Sequence, residues 1–282
     1  MKRINPTLWH GRPARVCSFD RTFDRAAFIS RGVPEPRNAI ALIAFCCIAL
    51  FAALTTAADP ATKPSAPPVD EKLWARMTEI DARAGKITSL VADFEQHKYT
   101  ALLRKPLISG GVVRVKGSTM RWDTERPEKS VLLVTEKEAR LYYPAQSTVE
   151  LYTLDERLGE LAASPLPRLA VLKERFSFAE IPAKELDETA DPAKVLALKL
   201  TPTDPALREH VQEVRVLLDI AGAYMIRAEL TDADGDRTAI RFLNAKINAD
   251  VGDLDLKLSA GTKTVRPLEG LETRPAGRPG AR

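Results

Sequence analysis

The 282-residue chain is poor in the residues that carry most enzyme chemistry, with three cysteines, three histidines and only 6% aromatics. All three cysteines (Cys17, Cys46, Cys47) fall within residues 1–58, so the remainder has no thiol, no disulfide and no cysteine ligand for a metal. Beyond residue 58 the histidines are His97 and His210, far apart and without acidic or cysteine partners at metal-binding spacing. Each reads as an exposed strand residue rather than a ligand. There is no glycine-rich phosphate loop, no G-x-S-x-G elbow and no H-E-x-x-H. Ser109, before Gly110-Gly111, reads as a turn residue at the start of a strand, because nothing identifies a base that would activate it. These absences leave no constellation for catalysis, and neither a metal nor a cofactor is expected.

An excess of one charge is also missing where it would matter. Lys and Arg number 42 against 38 Asp and Glu, a formal net of +4. Residues 1–58 hold eight of the basic residues and three of the acidic ones, which leaves 34 against 35, or −1, for the rest. The basicity therefore belongs to a leader and gives no reason to expect a nucleic-acid partner.

That leader contains the one long apolar run, Ala39 to Leu54, with Arg37 just before it and Ala57-Ala58 after it. Sixteen residues rise only about 24 Å as a helix, short of a hydrocarbon core of about 30 Å. The run, its basic flank and the small residues fit a secretory signal cut near Ala58; an uncleaved N-terminal anchor is the alternative. Cys46 follows Phe45 and Cys47 follows Cys46, so neither has the small preceding residue that a lipid-modified cysteine needs. Residues 59–68 carry Pro60, Pro64, Pro67 and Pro68 and read as an extended linker. Residues 266–282, with four Arg among Pro and Gly, read as a disordered basic tail. The folded domain is then expected over 69–265.

Within it, Asp70 stands as an N-cap before an amphipathic helix in which Leu73, Met77 and Ile80 share a face and Gly85 marks the end. The period then becomes two: Leu90, Ala92, Phe94 and Gln96 alternate with Val91, Asp93, Glu95 and His97. Further strands are predicted over 110–116, 119–124, 130–135, 139–143, 148–153, 176–181, 195–200, 211–218, 224–230, 238–243 and 254–258. Short connections between them argue for a continuous antiparallel meander rather than a doubly wound nucleotide fold. Asp232-Ala233-Asp234-Gly235-Asp236 has the look of a calcium loop, but its twelfth position is Leu243, which cannot supply a bidentate carboxylate; Asp-Gly is read as a hairpin turn. Helical spacing returns only midway, with Leu154, Leu158 and Leu161, then a second short helix opened by Pro165 with Leu166, Leu169 and Leu172. Two leucine-faced helices inserted in a sheet must pack on it or cap an opening in it. Ala101-Leu102-Leu103 reads as the continuation of two paired strands, with a protruding edge as the alternative.

The ordered set Phe94-Glu95-Gln96, Gly111, Arg121-Trp122 with Pro127, Val131 to Val134, and Leu141-Tyr142-Tyr143-Pro144 resembles the LolA-like periplasmic lipoprotein carriers over about 69–265. The resemblance implies a mainly β fold, an incomplete antiparallel β-barrel (a half-barrel of about 11 strands) with an N-terminal helix and short lid helices. It implies that Phe94, Met120 and Trp122 line an apolar cavity and that Leu166, Leu169 and Leu172 belong to its lid. The family's Lys-Arg-Pro loop, whose basic residue closes the lid, is replaced here by Val115-Lys116-Gly117-Ser118-Thr119, with Lys116 the nearest substitute.

The expectation is a non-catalytic periplasmic carrier, a monomer, that takes acylated lipoprotein or lipid cargo from an inner-membrane transporter and passes it to an outer-membrane acceptor. A dry cavity gains about 0.8 kcal/mol per buried methylene, and a movable lid lets the cargo leave. The alternatives are a sensory binding module built on the same half-barrel, for which this chain has no room for the second domain, and an enzyme acting on lipids.

Overall fold

The computed structural model describes residues 70–154 and 164–267. Helix α1 (Glu71–Ala84) starts where Asp70 accepts hydrogen bonds from the backbone N–H of Lys72 (2.8 Å) and Leu73 (3.1 Å), two donors the first turn cannot satisfy itself. It ends at Gly85, and its buried stripe is Leu73, Met77, Ile80 and Ala84. Among the described residues no helix is long and apolar enough to cross a membrane.

Twelve strands form one open sheet. The first meander is β1 (Ser89–Tyr99), β2 (Leu107–Lys116), β3 (Thr119–Arg126), β4 (Ser130–Val134), β5 (Glu138–Tyr143) and β6 (Thr148–Thr153). After it the chain passes through helix α2 (Leu169–Leu172) and begins again with β7 (Phe176–Glu180) and β8 (Val195–Pro202). Helix α3 (Pro205–Arg208) follows, then β9 (Val211–Asp219), β10 (Tyr224–Asp232), β11 (Arg237–Ile247) and β12 (Lys263–Val265). The spatial order is β12-β6-β5-β4-β3-β2-β1-β11-β10-β9-β8-β7, with β12 and β7 at the edges.

A single continuous meander is thus not what the chain builds. Between β6 and β7 it leaves one edge of the sheet and restarts at the opposite edge, so β11 closes the second meander against β1 in the middle. The half-barrel expectation holds as an open, mainly antiparallel sheet. Its departure is β12, which pairs with β6 in parallel.

Residues 254–258 are the other correction. Leu254, Leu256 and Leu258 alternate like a strand, but no ladder forms there. The Arg121 guanidinium donates to the carbonyls of Leu254 (3.4 Å) and Asp255 (2.6 Å), taking acceptors that a neighbouring strand would need. Val251 and Leu254 are buried, and Ser259 exchanges a hydrogen bond with Tyr142 Oη at 2.8 Å, so the segment runs as a strap over the outer face toward β12.

The predicted helix over 154–161 lies outside the described residues apart from Leu154, which is buried. The second is shorter than predicted: Leu166 precedes α2 rather than lying in it. Ala101-Leu102-Leu103 does not continue the strands. β1 stops at Tyr99 and the chain turns, with Ala101 N–H donating to Asp236 Oδ1, leaving Leu102 91% exposed. Ser109 is no turn residue but a buried member of β2, paired with Gln96.

The core divides by face. On the inner face, α1 packs its stripe with Phe176, Phe178, Leu196, Leu198, Leu200, Val216 and Leu218. The other half of that face carries a second cluster centred on β1 to β5. A smaller cluster around Ala183, Leu186 and Leu217 lies on the outer face of β8 and β9.

Candidate functional site

The site follows from the two-residue period of β1. Leu90, Ala92 and Phe94 point into the inner-face cluster, and cross-strand pairing extends their rows. Trp122 stands opposite Val113 on one side and Leu132 on the other, and Met120 opposite Val115 and Val134. Phe94, Met120 and Trp122 are therefore brought together, all buried in one cluster. The Phe94 and Trp122 rings meet edge to face at 4.7 Å, and Trp122 meets Phe242 at 5.8 Å. Gly111 is the cross-strand partner of Phe94. A Cβ there would sit 1.9 Å from the Asp123 carbonyl oxygen, so only glycine fits at the β-bulge between Gly110 and Gly111.

Toward β6 the face acquires tyrosines. Leu141, Tyr143 and Tyr152 belong to the same cluster. Tyr152 Oη donates to Glu150 Oε2 at 2.8 Å. Burial, and then Glu150, hold both phenols protonated well above the usual tyrosine range. Tyr143 Oη and Trp122 Nε1 are both buried without a hydrogen-bond partner among the described residues.

Toward the other end of β1 the same face turns polar. Gln96 and Lys98 follow Phe94 at the same period and are buried, as are their cross-strand neighbours Ser109 and Thr238. Lys98 is 5% exposed and makes no hydrogen bond or ion pair with another described residue. The inner face is thus graded, apolar and aromatic in the middle and polar at the rim next to the β1–β2 turn. Period two from Phe94 already placed Gln96 on this face, whereas Lys98 was not singled out. Tyr143, Tyr152 and Phe242 were not singled out, because their place depends on which strands become neighbours.

The lid candidates separate. Leu166 packs against the aromatic cluster, whereas Leu169 is fully buried with α1 and Leu172 lies beside it. Two backbone hydrogen bonds pin the segment. Met225 N–H, which flanks an irregularity in the β9–β10 register, donates to the Pro165 carbonyl at 2.6 Å. Leu169 N–H donates to Asp81 Oδ1 of α1 at 2.8 Å. Lys116 is exposed at the end of β2, and no hydrogen bond joins it to any described lid residue.

Other sequence candidates stay apart from this face. His97 lies on the outer side of β1, bonded to Glu95 at 2.8 Å and stacked on Tyr99, and His210 is exposed before β9. The Asp232 to Asp236 segment is the β10–β11 hairpin turn, with Gly235 at φ +85°. Among the described residues no group of three or more His, Cys, Asp or Glu could hold a metal. A hollow of about 390 Å³ lies on the outer face beneath the strap, between Arg114, Arg121, Tyr142 and Lys257.

The family model described as outer membrane lipoprotein carrier protein LolA matches residues 85–255. An outer-membrane lipoprotein carrier protein of Azotobacter vinelandii (strain DJ / ATCC BAA-1303) is 26% identical over 222 residues, 78% of this chain and 97% of the relative. Among solved structures, a LolA superfamily protein from Nitrosomonas europaea aligns with a TM-score of 0.34 at 14% identity over 64% of this chain and 94% of its own. The Mycobacterium tuberculosis lipoprotein LppX aligns with a TM-score of 0.39 at 14% identity, over 66% and 100%.

Proposed function

Because the chain belongs to the family of the outer membrane lipoprotein carrier protein LolA, we propose that it is a non-catalytic periplasmic carrier that holds the acyl chains of a lipoprotein or related amphiphile on its inner face. Phe94, Met120 and Trp122 line the acyl site, and the segment bearing Leu166, Leu169 and Leu172 covers it. Residues 1–58 act as the export leader. Cargo comes from an inner-membrane transporter and goes to an outer-membrane acceptor.

The observation that carries this reading is the gradient along one face: a buried aromatic and aliphatic centre continuing, at the same period, into buried Gln96 and Lys98. An amphiphile has the same order, chains first and head group at the rim. A face meant only as core has no reason to continue from its aromatic centre into the largely buried side chains of Gln96 and Lys98. The covering segment supports release, since it is held to α1 and β10 by a few hydrogen bonds rather than by a second sheet.

The test is titration of the purified protein with a fluorescent long-chain fatty acid, followed by competition with a triacylated lipopeptide. Saturable binding that the lipopeptide displaces is the expected result. A linear, non-saturating signal would contradict the carrier reading.

A further inference from the structure

Two donors on the inner face have no partner among the described residues. They are Trp122 Nε1 and Tyr143 Oη, both buried within the apolar cluster. A buried polar group left unpaired is costly, and most such groups in folded proteins are satisfied. Phenylalanine in place of Tyr143 would fill nearly the same space without that cost. The nearest carboxylate does not resolve the case of Tyr143, because Glu150 already accepts from Tyr152 at 2.8 Å.

The character of the two groups narrows what could satisfy them. An indole N–H only donates, whereas a phenol can donate or accept. The one kind of partner that satisfies both is an acceptor. Near Glu150 an anionic acceptor such as a free carboxylate is repelled, whereas a neutral carbonyl oxygen is not. The two side chains stand on β3 and β5 in neighbouring rows: Trp122 pairs with Leu132, Leu132 pairs with Leu141, and Tyr143 lies two residues beyond Leu141, so they offer two separate points of contact along the face.

Resting on the carrier reading, we infer that Trp122 Nε1 and Tyr143 Oη receive the carbonyl oxygens through which acyl chains are linked to the cargo. The ligand class is an ester- or amide-linked acyl amphiphile, not a bare hydrocarbon chain. The rings supply apolar contact with the methylenes, and their polar atoms fix how deep the chains sit.

The experiment is competition of a bound fluorescent fatty acid by a diacylglycerol and by the dialkyl ether of the same chain lengths, which keeps the oxygens of the linkage but lacks the carbonyls. The full-length protein is expected to prefer the ester by about fivefold or more, the worth of one or two net hydrogen bonds. Tyr143→Phe should cut that preference several-fold. Equal displacement by ester and ether overturns the inference even if the variant fails to fold, and is what a water trapped at these donors would produce. Failure of both competitors to displace the probe removes the carrier reading instead, which keeps the two failures apart.

Discussion

Trp122 is where the proposed acyl site and the hydrophobic core are hardest to tell apart, because one buried ring would serve both. It touches Phe94 and Phe242 and is packed between Val113 and Leu132 in the register. Trp122→Ala removes a large buried ring, so the melting temperature falls whatever the function. If the ring also contacts cargo, acyl affinity of the protein that remains folded drops by about 1 to 3 kcal/mol, or about five- to 150-fold. Isothermal titration well below the variant's own midpoint separates the two effects. A destabilised variant with unchanged affinity would make Trp122 core alone. Gly111 marks how tightly this corner is built, since its position between Phe94 and the Asp123 carbonyl leaves no room for a side chain.

At the scale of elements, the proposed cover of the acyl site is the segment that carries Leu166, Leu169 and Leu172. Its described part is anchored at Pro165 by Met225 and at Leu169 by Asp81. Asp81→Ala removes the second anchor while leaving the apolar stripe of α1 untouched. Loss of such a capping bond costs about 0.5 to 2 kcal/mol, so amide exchange at Leu169 should quicken by about two- to 30-fold, with faster release of an acyl probe and a smaller change in its association rate. Unchanged exchange at Leu169 would mean that leucine packing alone holds the segment.

Elements also show where sequence pattern is informative. The α1 cap at Asp70 and the face of Leu73, Met77 and Ile80 were legible because capping and helical period are local properties. So was the shared face of Phe94 with Leu90 and Ala92, and of Met120 with Trp122. The pairing of β11 with β1 was not, because strand order depends on where the crossing segment lands and local periodicity carries no record of it. The alternation at 254–258 misled for a related reason: the destination of its carbonyls, the Arg121 side chain, lies more than 130 residues away in sequence. Leu102 was read as strand continuation because an apolar pair before Lys105-Pro106 does not reveal that pairing stops at Tyr99. Of the residues proposed to line the acyl site, Phe94 and Trp122 stood out through the ordered motifs of the resemblance, whereas Tyr143, quoted only as part of a motif, gained weight once its hydroxyl was seen to be buried without a partner among the described residues.

For the whole molecule, the tyrosines set a pH limit. Tyr143, Tyr152 and Tyr224 are all shifted upward, in each case chiefly by burial, so the folded state keeps protons that the unfolded chain gives up near pH 10. Because the native state then binds more protons, stability is fully present below about pH 10 and falls as pH rises above it. Thermal melts from about pH 8 to 11 should show a steepening loss of the midpoint above pH 10. Tyr143→Phe and Tyr152→Phe should flatten that slope, and the wild-type phenolate absorbance should appear together with unfolding rather than before it. Phenolate formation in the intact fold would contradict the burial of these side chains.

The most direct test of the central claim, that the inner face carries acyl cargo, is native mass spectrometry of the full chain isolated gently from periplasmic extract, with lipid analysis of whatever it releases. A bound species whose mass and fragments report acyl chains, lost in Trp122→Ala, is the predicted result. A spectrum of bare protein only, from cells in which it is abundant and folded, would contradict it.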